Sequence, residues 1–497
     1  MAVEAIIQQR PKARQAWSAR FTNFCKFDAV RMASSTAEWY NNRQMVFRAG
    51  PGDMNFPEGW NRSMNPLAKQ INESIQKENE HVYAMLSELG RAIYFPKVGI
   101  LSQSAEAKTK AKKFNATIGI ATEGGQPMHL GVIQETLSAY QPKDLYEYAP
   151  PAGKPELRSA WRTKMLYENP SLEGKSFGNP IVTNALTHGL SIVADLFAGE
   201  GDPVIIPNKN WENYELTFGV RRGAAIVEYP LYNESGRFNS AGLRDTLLAQ
   251  KDRGKAIVIL NFPNNPTGYT PGPEEGDEIV AAIREAAEAG INVVAVTDDA
   301  YFGLFFEDSL HQSLFGKLAD LHPRVLAVKV DGATKEEYVW GFRVGFITYT
   351  SPSEAILSGL EQKTTGIIRA TISSGAHPSQ TFVLHALKSP EFEAQKAEKF
   401  GILKRRANRV KDLLDSGRYD GAWEYYPFNS GYFMCLKLSG VSAESVRTHL
   451  LDQYGIGTIA LGETDLRVAF SCIEELNLEE LFDTIHQAVL DLRAVKS

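Results

Sequence analysis

The sequence predicts an α/β fold with a large domain whose mostly parallel central sheet is flanked by helices. It also predicts a smaller α+β domain, formed by the C-terminal part and some N-terminal segments. Two observations favour this fold: short apolar runs alternate with helical patterns through the middle of the chain, and that alternation stops in the tail. The length of 497 residues exceeds one ordinary domain, which agrees with two cores.

The middle of the chain contains short apolar runs of three to five residues. Consecutive apolar positions indicate strands that are buried on both faces, which is typical of a parallel sheet. Helical patterns separate several of them, one from about His188 to Phe197 and another that follows Pro273 and ends at Gly290. The predicted strands contain Val204–Ile206, Ala256–Leu260, Val293–Val296, Val325–Val328 and Val344–Ile347.

The two ends of the chain have different patterns. Near the N-terminus, we predict an amphipathic helix over Asn72–Leu89 and a short Lys-rich helix over Ala105–Phe114. In the tail, Ser430–Leu438 and Leu466–Phe470 are predicted strands, and the last helix begins at Asn477. We therefore predict an N-terminal extension with small-domain segments over 1–115, a large domain over 116–400 and a C-terminal small domain over 401–497.

Composition excludes several classes of partner. The net charge of −6 implies no basic face, so we expect neither nucleic acid nor an anionic membrane as a partner. The cysteines Cys25, Cys435 and Cys472 form no CxxC pair, which favours a reduced, cytoplasmic location. The N-terminus lacks the apolar region of a signal peptide, and no apolar run is long enough to span a bilayer. The nine histidines show no ligand spacing, so we expect no metal site.

Polar residues follow three of the predicted strands directly. They form the segments NFPNNPTG at 261–268, TDDAY at 297–301 and DGATK at 331–335. Because ligands collect beyond the carboxyl ends of parallel strands, we expect these residues at one binding edge. A lone lysine beside Glu336 and Glu337 is typical of a surface, but the neighbouring polar groups favour a chemical role for Lys335. An enclosed lysine has a lowered pKa and becomes nucleophilic.

The chain resembles the class I/II aminotransferases, which are fold-type I pyridoxal-phosphate enzymes. The resemblance extends from roughly Ile118 to the C-terminus, and it depends on NNPTG at 264–268, DxAY at 298–301 and GATKxxYVWGFRVG at 332–345. It implies transamination between an L-amino acid and a 2-oxo acid, with pyridoxal 5'-phosphate as cofactor in the large domain. It also implies a homodimer with shared active sites.

The resemblance also implies a role for each matching residue. Lys335 holds the cofactor as a Schiff base and acts as the general base, Asp298 pairs with the pyridine nitrogen, and Tyr301 and Asn265 bind the ring hydroxyl oxygen. Arg343 and the turn Ala185-Leu186-Thr187 bind the phosphate, Trp211 stacks on the ring, and Tyr148 reaches the phosphate of the neighbouring subunit. Arg467 binds the substrate α-carboxylate, beside Asn265 and Trp211, and Arg369 in IIRATISS binds a second carboxylate from across the dimer.

The sequence departs from the family pattern at a few positions. Gly332 stands where a phosphate-binding serine is common, so we expect Thr187 or Thr334 to supply the hydroxyl. Ala185 replaces a glycine, Tyr338 replaces a smaller residue, and Tyr214 replaces the histidine that close relatives of aspartate aminotransferase place behind the aspartate.

Other functions remain open at this point. The cofactor motifs also suit a lyase, decarboxylase or synthase, because the reaction depends on which substrate bond stands perpendicular to the ring. A cofactor-binding regulator would need a basic recognition helix, and none is identifiable in the extension. A nicotinamide-dependent dehydrogenase would need GxGxxG after a strand, and that motif is absent in such a setting.

Overall fold

The structure of the protein, a computed structural model, describes residues 64–79, 83, 86–94 and 99–494. Cys25 and most of the predicted N-terminal extension lie outside these residues. The described strands of the main sheet are β1 Ile181–Asn184, β2 Pro203–Pro207, β3 Ala225–Tyr229, β4 Lys255–Asn261, β5 Asn292–Asp298, β6 Val325–Gly332 and β7 Val344–Tyr349.

The main sheet has the strand order β1-β7-β6-β5-β4-β2-β3. Strand β7 is antiparallel to β1 and β6, and the other neighbouring pairs are parallel. Strands β4, β5 and β6 occupy the centre of the sheet, and nearly all of their residues are buried because both faces are covered. The mostly parallel α/β prediction is therefore confirmed.

The described α-helices include those that connect the strands of the main sheet and others that lie before the sheet or in the tail. They are α1 Pro66–Glu78, α2 Glu88–Ala92, α3 Ile100–Lys110, α4 Gly131–Gln134, α5 Pro142–Leu145, α6 Pro155–Glu168, α7 Ala185–Phe197, α8 Ser240–Leu248, α9 Pro273–Glu288, α10 Leu314–Leu318, α11 Ala333–Glu336, α12 Glu354–Thr371, α13 His377–Lys388, α14 Phe392–Leu414, α15 Ala443–His449 and α16 Leu478–Ala494. Among the described helices, none is long and apolar enough to cross a membrane.

A second sheet lies in the tail and is antiparallel throughout. Its strands are β8 Trp423–Tyr425, β9 Met434–Leu438, β10 Ile459–Leu461 and β11 Asp465–Val468, in the order β8-β9-β11-β10. The strand Phe114–Asn115 pairs with Ile456–Gly457, so an N-terminal segment packs with the tail. The predicted domain limits stay a prediction, and helix α14 passes through position 400.

Two N-terminal predictions are wrong. The helix predicted over Asn72–Leu89 begins earlier, because the Asn65 side chain accepts a hydrogen bond from Leu67 N–H and Pro66 occupies the first turn. It ends at Glu78, since Asn79 is extended. The Lys-rich helix α3 starts five residues before Ala105 and ends at Lys110, because Phe114 belongs to a strand.

Candidate active site

The carboxyl ends of the central strands meet at one edge of the main sheet. Asn261 at the end of β4 pairs in register with Asp298 at the end of β5, which pairs with Val330 of β6. Asn261 Nδ2 also donates a hydrogen bond of 2.9 Å to the Asp298 carbonyl. Lys335 follows β6 in the short helix α11. The strand ends therefore bring the three motif segments together, as the sequence predicts.

The Lys335 side chain lies in an enclosed place beside Tyr301. Its Nζ is 5.0 Å from the centroid of the Tyr301 ring. Burial lowers the pKa of Lys335 to about 8, although the charge of Asp298 opposes this shift. A lysine with such a pKa is partly neutral near pH 8, and only the neutral amine is nucleophilic. The position is therefore suited to Schiff-base chemistry.

Asp298 is buried and has one free oxygen. Tyr214 Oη donates a hydrogen bond of 2.6 Å to Asp298 Oδ2, whereas Oδ1 has no hydrogen-bond partner among the described residues. Burial raises the pKa of Asp298 to about 6, and the Tyr214 hydrogen bond acts in the opposite direction. The carboxylate is therefore ionised at neutral pH, and Oδ1 is available to accept a hydrogen bond from a ligand.

The start of β7 crosses close to the start of α7. Ala185 N–H donates a hydrogen bond of 3.1 Å to the Arg343 carbonyl. The crossing is tight, since a Cβ on Gly345 would lie 2.6 Å from the Ala185 carbonyl carbon. Helix α7 starts at Ala185, three residues before the predicted start, and the N–H groups of a first helical turn favour an anion. The Arg343 side chain is exposed, and its Nη1 donates a hydrogen bond of 3.1 Å to the Trp340 carbonyl.

The predicted substitutes for the missing serine differ in their surroundings. Thr334 is buried, and its hydroxyl has no hydrogen-bond partner among the described residues. Thr187 is exposed in the first turn of α7. The Leu186 side chain is buried, so its backbone N–H is the group that it offers to an anion.

Arg467 is a buried cation on β11 without a carboxylate partner among the described residues. Its Nη1 donates to Asn265 Oδ1 at 3.0 Å and its Nη2 to the Thr117 carbonyl at 3.1 Å. Its Nε has no partner among the described residues, and its guanidinium lies 4.3 Å from the centroid of the Phe433 ring. A buried charge of this kind requires a counter-ion, and an anionic ligand can supply it.

Trp211 lies beside Tyr214, the residue that donates a hydrogen bond to Asp298. Trp211 follows β2 and is partly buried, and its ring meets that of Tyr214 edge to face at 5.7 Å. A cavity of about 470 Å³ adjoins Trp211 and is lined partly by Pro66, Leu67 and Tyr94. Sequence reasoning assigned no chemistry to this N-terminal segment.

Two predicted residues have exposed side chains. The Tyr148 side chain is 92% exposed. Arg369 is exposed in the last turn of α12, where it donates to Ser373 Oγ. Both side chains were predicted to act on a neighbouring subunit, and a single chain does not test that prediction.

The site matches the chemistry of pyridoxal phosphate. The free N–H groups of α7 and Arg343 suit its phosphate, Asp298 Oδ1 suits its protonated ring nitrogen, and Lys335 suits its aldehyde. Thr117 was missed from the sequence, because the contact uses a backbone carbonyl that carries no residue signature.

Comparisons with known proteins agree with this chemistry. The family model for aminotransferase class I and II matches residues 111–485. The probable aspartate/prephenate aminotransferase of Aquifex aeolicus (strain VF5) is 27% identical over 347 residues, which are 67% of this chain and 81% of that protein. The cytoplasmic aspartate aminotransferase of Gallus gallus is 23% identical, with 80% of this chain and 97% of the relative covered.

Solved structures show the same fold. An aminotransferase from Anaerococcus prevotii DSM 20548 matches with a TM-score of 0.73 and 21% identity, over 81% of this chain and 98% of its own. The aspartate aminotransferase of Thermus thermophilus with maleate matches with a TM-score of 0.66 and 20% identity, over 81% and 99% of the two chains. The chain therefore belongs to the class I and II aminotransferase family, and it is a pyridoxal-phosphate-dependent transaminase of fold type I.

Proposed function

We propose that the enzyme exchanges an amino group between an L-amino acid and a 2-oxo acid, one of them dicarboxylic, at the edge formed by β4, β5 and β6. The observation that carries this proposal is that a lysine of lowered pKa and a buried arginine lie at two rings in contact, Tyr301 and Phe433. The arginine has no carboxylate partner among the described residues. Aspartate in the names of curated relatives supports the dicarboxylic substrate. The same names do not favour the lyase, decarboxylase, synthase or regulator alternatives.

The cofactor would be held by groups from several elements. Lys335 would hold its aldehyde carbon as a Schiff base, and Asp298 would hold its ring nitrogen. Tyr301 and the amide NH₂ of Asn265 would donate to the ring hydroxyl oxygen. Arg343, the turn Ala185-Leu186-Thr187 and the free hydroxyl of Thr334 would bind its phosphate, and Trp211 would stack on its ring. When bound, pyridoxal phosphate supplies an aldehyde that condenses with amines and a ring that accepts electrons from the substrate α-carbon.

The residues of this chain then control the proton and the orientation of substrate. Arg467 binds the α-carboxylate through its guanidinium and so fixes which α-carbon bond faces the ring. Lys335 Nζ accepts the α-proton in its neutral form, for which burial prepares it. Asp298 stays ionised above about pH 6 and would hold a proton on the ring nitrogen of the cofactor.

A screen of half-reactions tests this function. Each of the common L-amino acids is added to the yellow holoenzyme without a 2-oxo acid, and loss of the visible absorbance band is followed. We expect aspartate or glutamate to bleach the band and to release the matching 2-oxo acid. Bleaching accompanied by carbon dioxide or ammonia release would instead support a decarboxylase or lyase.

Removal of the Tyr214 hydroxyl should shift the pH dependence of cofactor binding. The Tyr214 hydrogen bond lowers the pKa of Asp298, so Tyr214→Phe should raise that pKa above about 6. Because the ionised carboxylate binds the ring nitrogen, cofactor affinity is lost as pH falls through this pKa. We expect the acid limb of a cofactor titration of the apoenzyme to move to higher pH in the variant. An unchanged limb would contradict a role for Tyr214 behind Asp298.

Arg369 should decide between substrates with one and two carboxylates. If it crosses to a neighbouring subunit, Arg369→Ala should lower kcat/KM for aspartate and glutamate by about 10–100-fold and leave alanine nearly unchanged. Steady-state kinetics with both substrate types measures the difference. Equal effects on both substrates would show that Arg369 does not select the second carboxylate.

A homodimer follows from the role proposed for Tyr148. The exposed Tyr148 would bind the phosphate in the neighbouring subunit, so each site would take groups from two chains. Light scattering of the holoenzyme should give twice the mass of the 55.1 kDa chain. An active monomer would contradict the shared site. The cytoplasmic location stays a prediction from the cysteine content.

A further inference from the structure

An ion pair connects the segment that carries Trp211 with the strand that carries Arg467. Lys209 lies two residues before Trp211, in the segment that follows β2, and Asp465 lies two residues before Arg467 on β11. Lys209 Nζ pairs with Asp465 Oδ2, and their side chains are only 22% and 7% exposed. The pair therefore links the main sheet to the tail sheet beside both site residues.

The surroundings of this pair hold both side chains in place. Tyr426 Oη donates to Asp465 Oδ1 at 2.9 Å, and Lys209 Nζ lies 4.8 Å from the centroid of the Tyr426 ring. Asn264 Nδ2 also donates to the Lys209 carbonyl at 3.2 Å. Burial lowers the pKa of Lys209, but the hydrogen bond and charge of Asp465 outweigh it, so the pKa lies above its usual value and the ammonium stays charged.

The strand geometry relates this pair to the proposed substrate clamp. Side chains two positions apart on a strand point to the same face, so Asp465 and Arg467 extend from β11 in the same direction. Arg467 meets Asn265 in the segment after β4, whereas Asp465 meets Lys209 in the segment after β2. A displacement of β11 would therefore change both contacts together.

We propose that Lys209 and Asp465 are positioning residues whose ion pair sets the separation of Trp211 from Arg467. The separation determines where a substrate carboxylate sits relative to the ring that stacks on Trp211. In this proposal neither residue contacts substrate, since the two pair with each other, Tyr426 donates to Asp465 and its ring lies beside Lys209. This inference rests on the proposed function of Arg467 and Trp211.

Three variants and a matched control test the proposal. Lys209→Met and Asp465→Asn remove the ion pair, and Lys209→Arg retains it. The control Lys255→Met breaks an ion pair of 2.7 Å between Lys255 and Asp202, whose exposed fractions are 36% and 15%. This pair lies where β4 and β2 begin, at the end of these strands away from Asn261 and Trp211. The measurements are the amino-acid concentration that half-bleaches the yellow band, the cofactor dissociation constant and Tm.

We expect Lys209→Met and Asp465→Asn to raise the half-bleaching concentration about tenfold, since misplaced binding groups lose orientation. Their cofactor dissociation constants should stay within about threefold of the parent, and their Tm should fall no further than that of Lys255→Met. Lys209→Arg retains the ion pair and should therefore keep the half-bleaching concentration of the parent. An unchanged half-bleaching concentration, or parallel losses of cofactor affinity and Tm, would overturn the proposal.

A further variant separates this failure from failure of the proposed function. Arg467→Lys should raise the half-bleaching concentration if Arg467 binds the α-carboxylate. If it does so while Lys209→Met and Asp465→Asn do not, the positioning role alone is wrong. If Arg467→Lys also leaves the concentration unchanged, the carboxylate clamp is wrong as well.

Discussion

Lys335→Ala is expected to lower the rate of the amino-acid half-reaction by about 10⁴-fold or more. The variant lacks both the amine that would bind the cofactor and the base that would accept the α-proton. No described neighbour offers an equivalent amine, since Lys329 is held by Asp299 and Asp331 and Lys164 by Glu168 and Glu336. Single-turnover absorbance with a saturating amino acid measures the loss.

A partly buried lysine away from the predicted site residues in sequence provides the control for this experiment. Lys317 pairs with Asp277 at 2.6 Å, and Lys317→Ala should keep the parent rate. Retention of the half-reaction by Lys335→Ala at more than about a tenth of the parent rate would exclude Lys335 as the base.

Arg467→Gln should lower kcat/KM for every amino acid by about 10²-fold to 10³-fold. Removing one partner of a buried, hydrogen-bonded ion pair costs about 3–4 kcal/mol, and each 1.4 kcal/mol is tenfold in an equilibrium constant. The guanidinium has Asn265 and the Thr117 carbonyl as neutral partners and no described carboxylate, so a substrate carboxylate would be its counter-ion. Because the α-carboxylate is common to all amino acids, the loss should not depend on the side chain.

Arg447 offers a matched control for the loss of a buried arginine. It is 6% exposed on α15 and pairs with Glu444 and Glu106. Arg447→Gln should lower Tm while kcat/KM stays near the parent value. If both variants lose activity in proportion to their loss of Tm, Arg467 stabilises the fold and does not bind substrate.

The sequence predicted which segments meet at the sheet edge, because strand ends determine their position. Asn261, Asp298 and Gly332 end buried parallel strands, so their neighbours had to meet at one edge. The apolar runs of these strands have no alternation, so their short length and their Val and Ile content distinguish them from buried helix segments.

Contacts that depend on backbone atoms or distant side chains were not predictable in the same way. The sequence flagged Tyr214 as a departure, but its hydrogen bond to Asp298 spans 84 residues. Glu336 and Glu337 suggested a solvent-facing turn, yet both are buried, and Lys396 Nζ lies 2.8 Å from Glu336 Oε1. Charged residues have no apolar pattern, so their burial becomes visible only with the partners that compensate it.

The N-terminal errors have a local cause. The apolar spacing of Asn72–Leu89 continues past Asn79, but the backbone there is extended. Periodicity records which residues could share a helix face and does not record where a cap interrupts the helix. Ser87 caps α2 through a hydrogen bond from Gly90 N–H, so Gly90 lies inside that helix.

Reduction of the yellow holoenzyme with borohydride, followed by peptide mapping, tests the identity of the cofactor lysine most directly. We expect one labelled peptide per chain, containing Gly332–Lys335, with the added mass on Lys335. A label on another lysine, or a cofactor that leaves the reduced protein on denaturation, would contradict the assignment of Lys335.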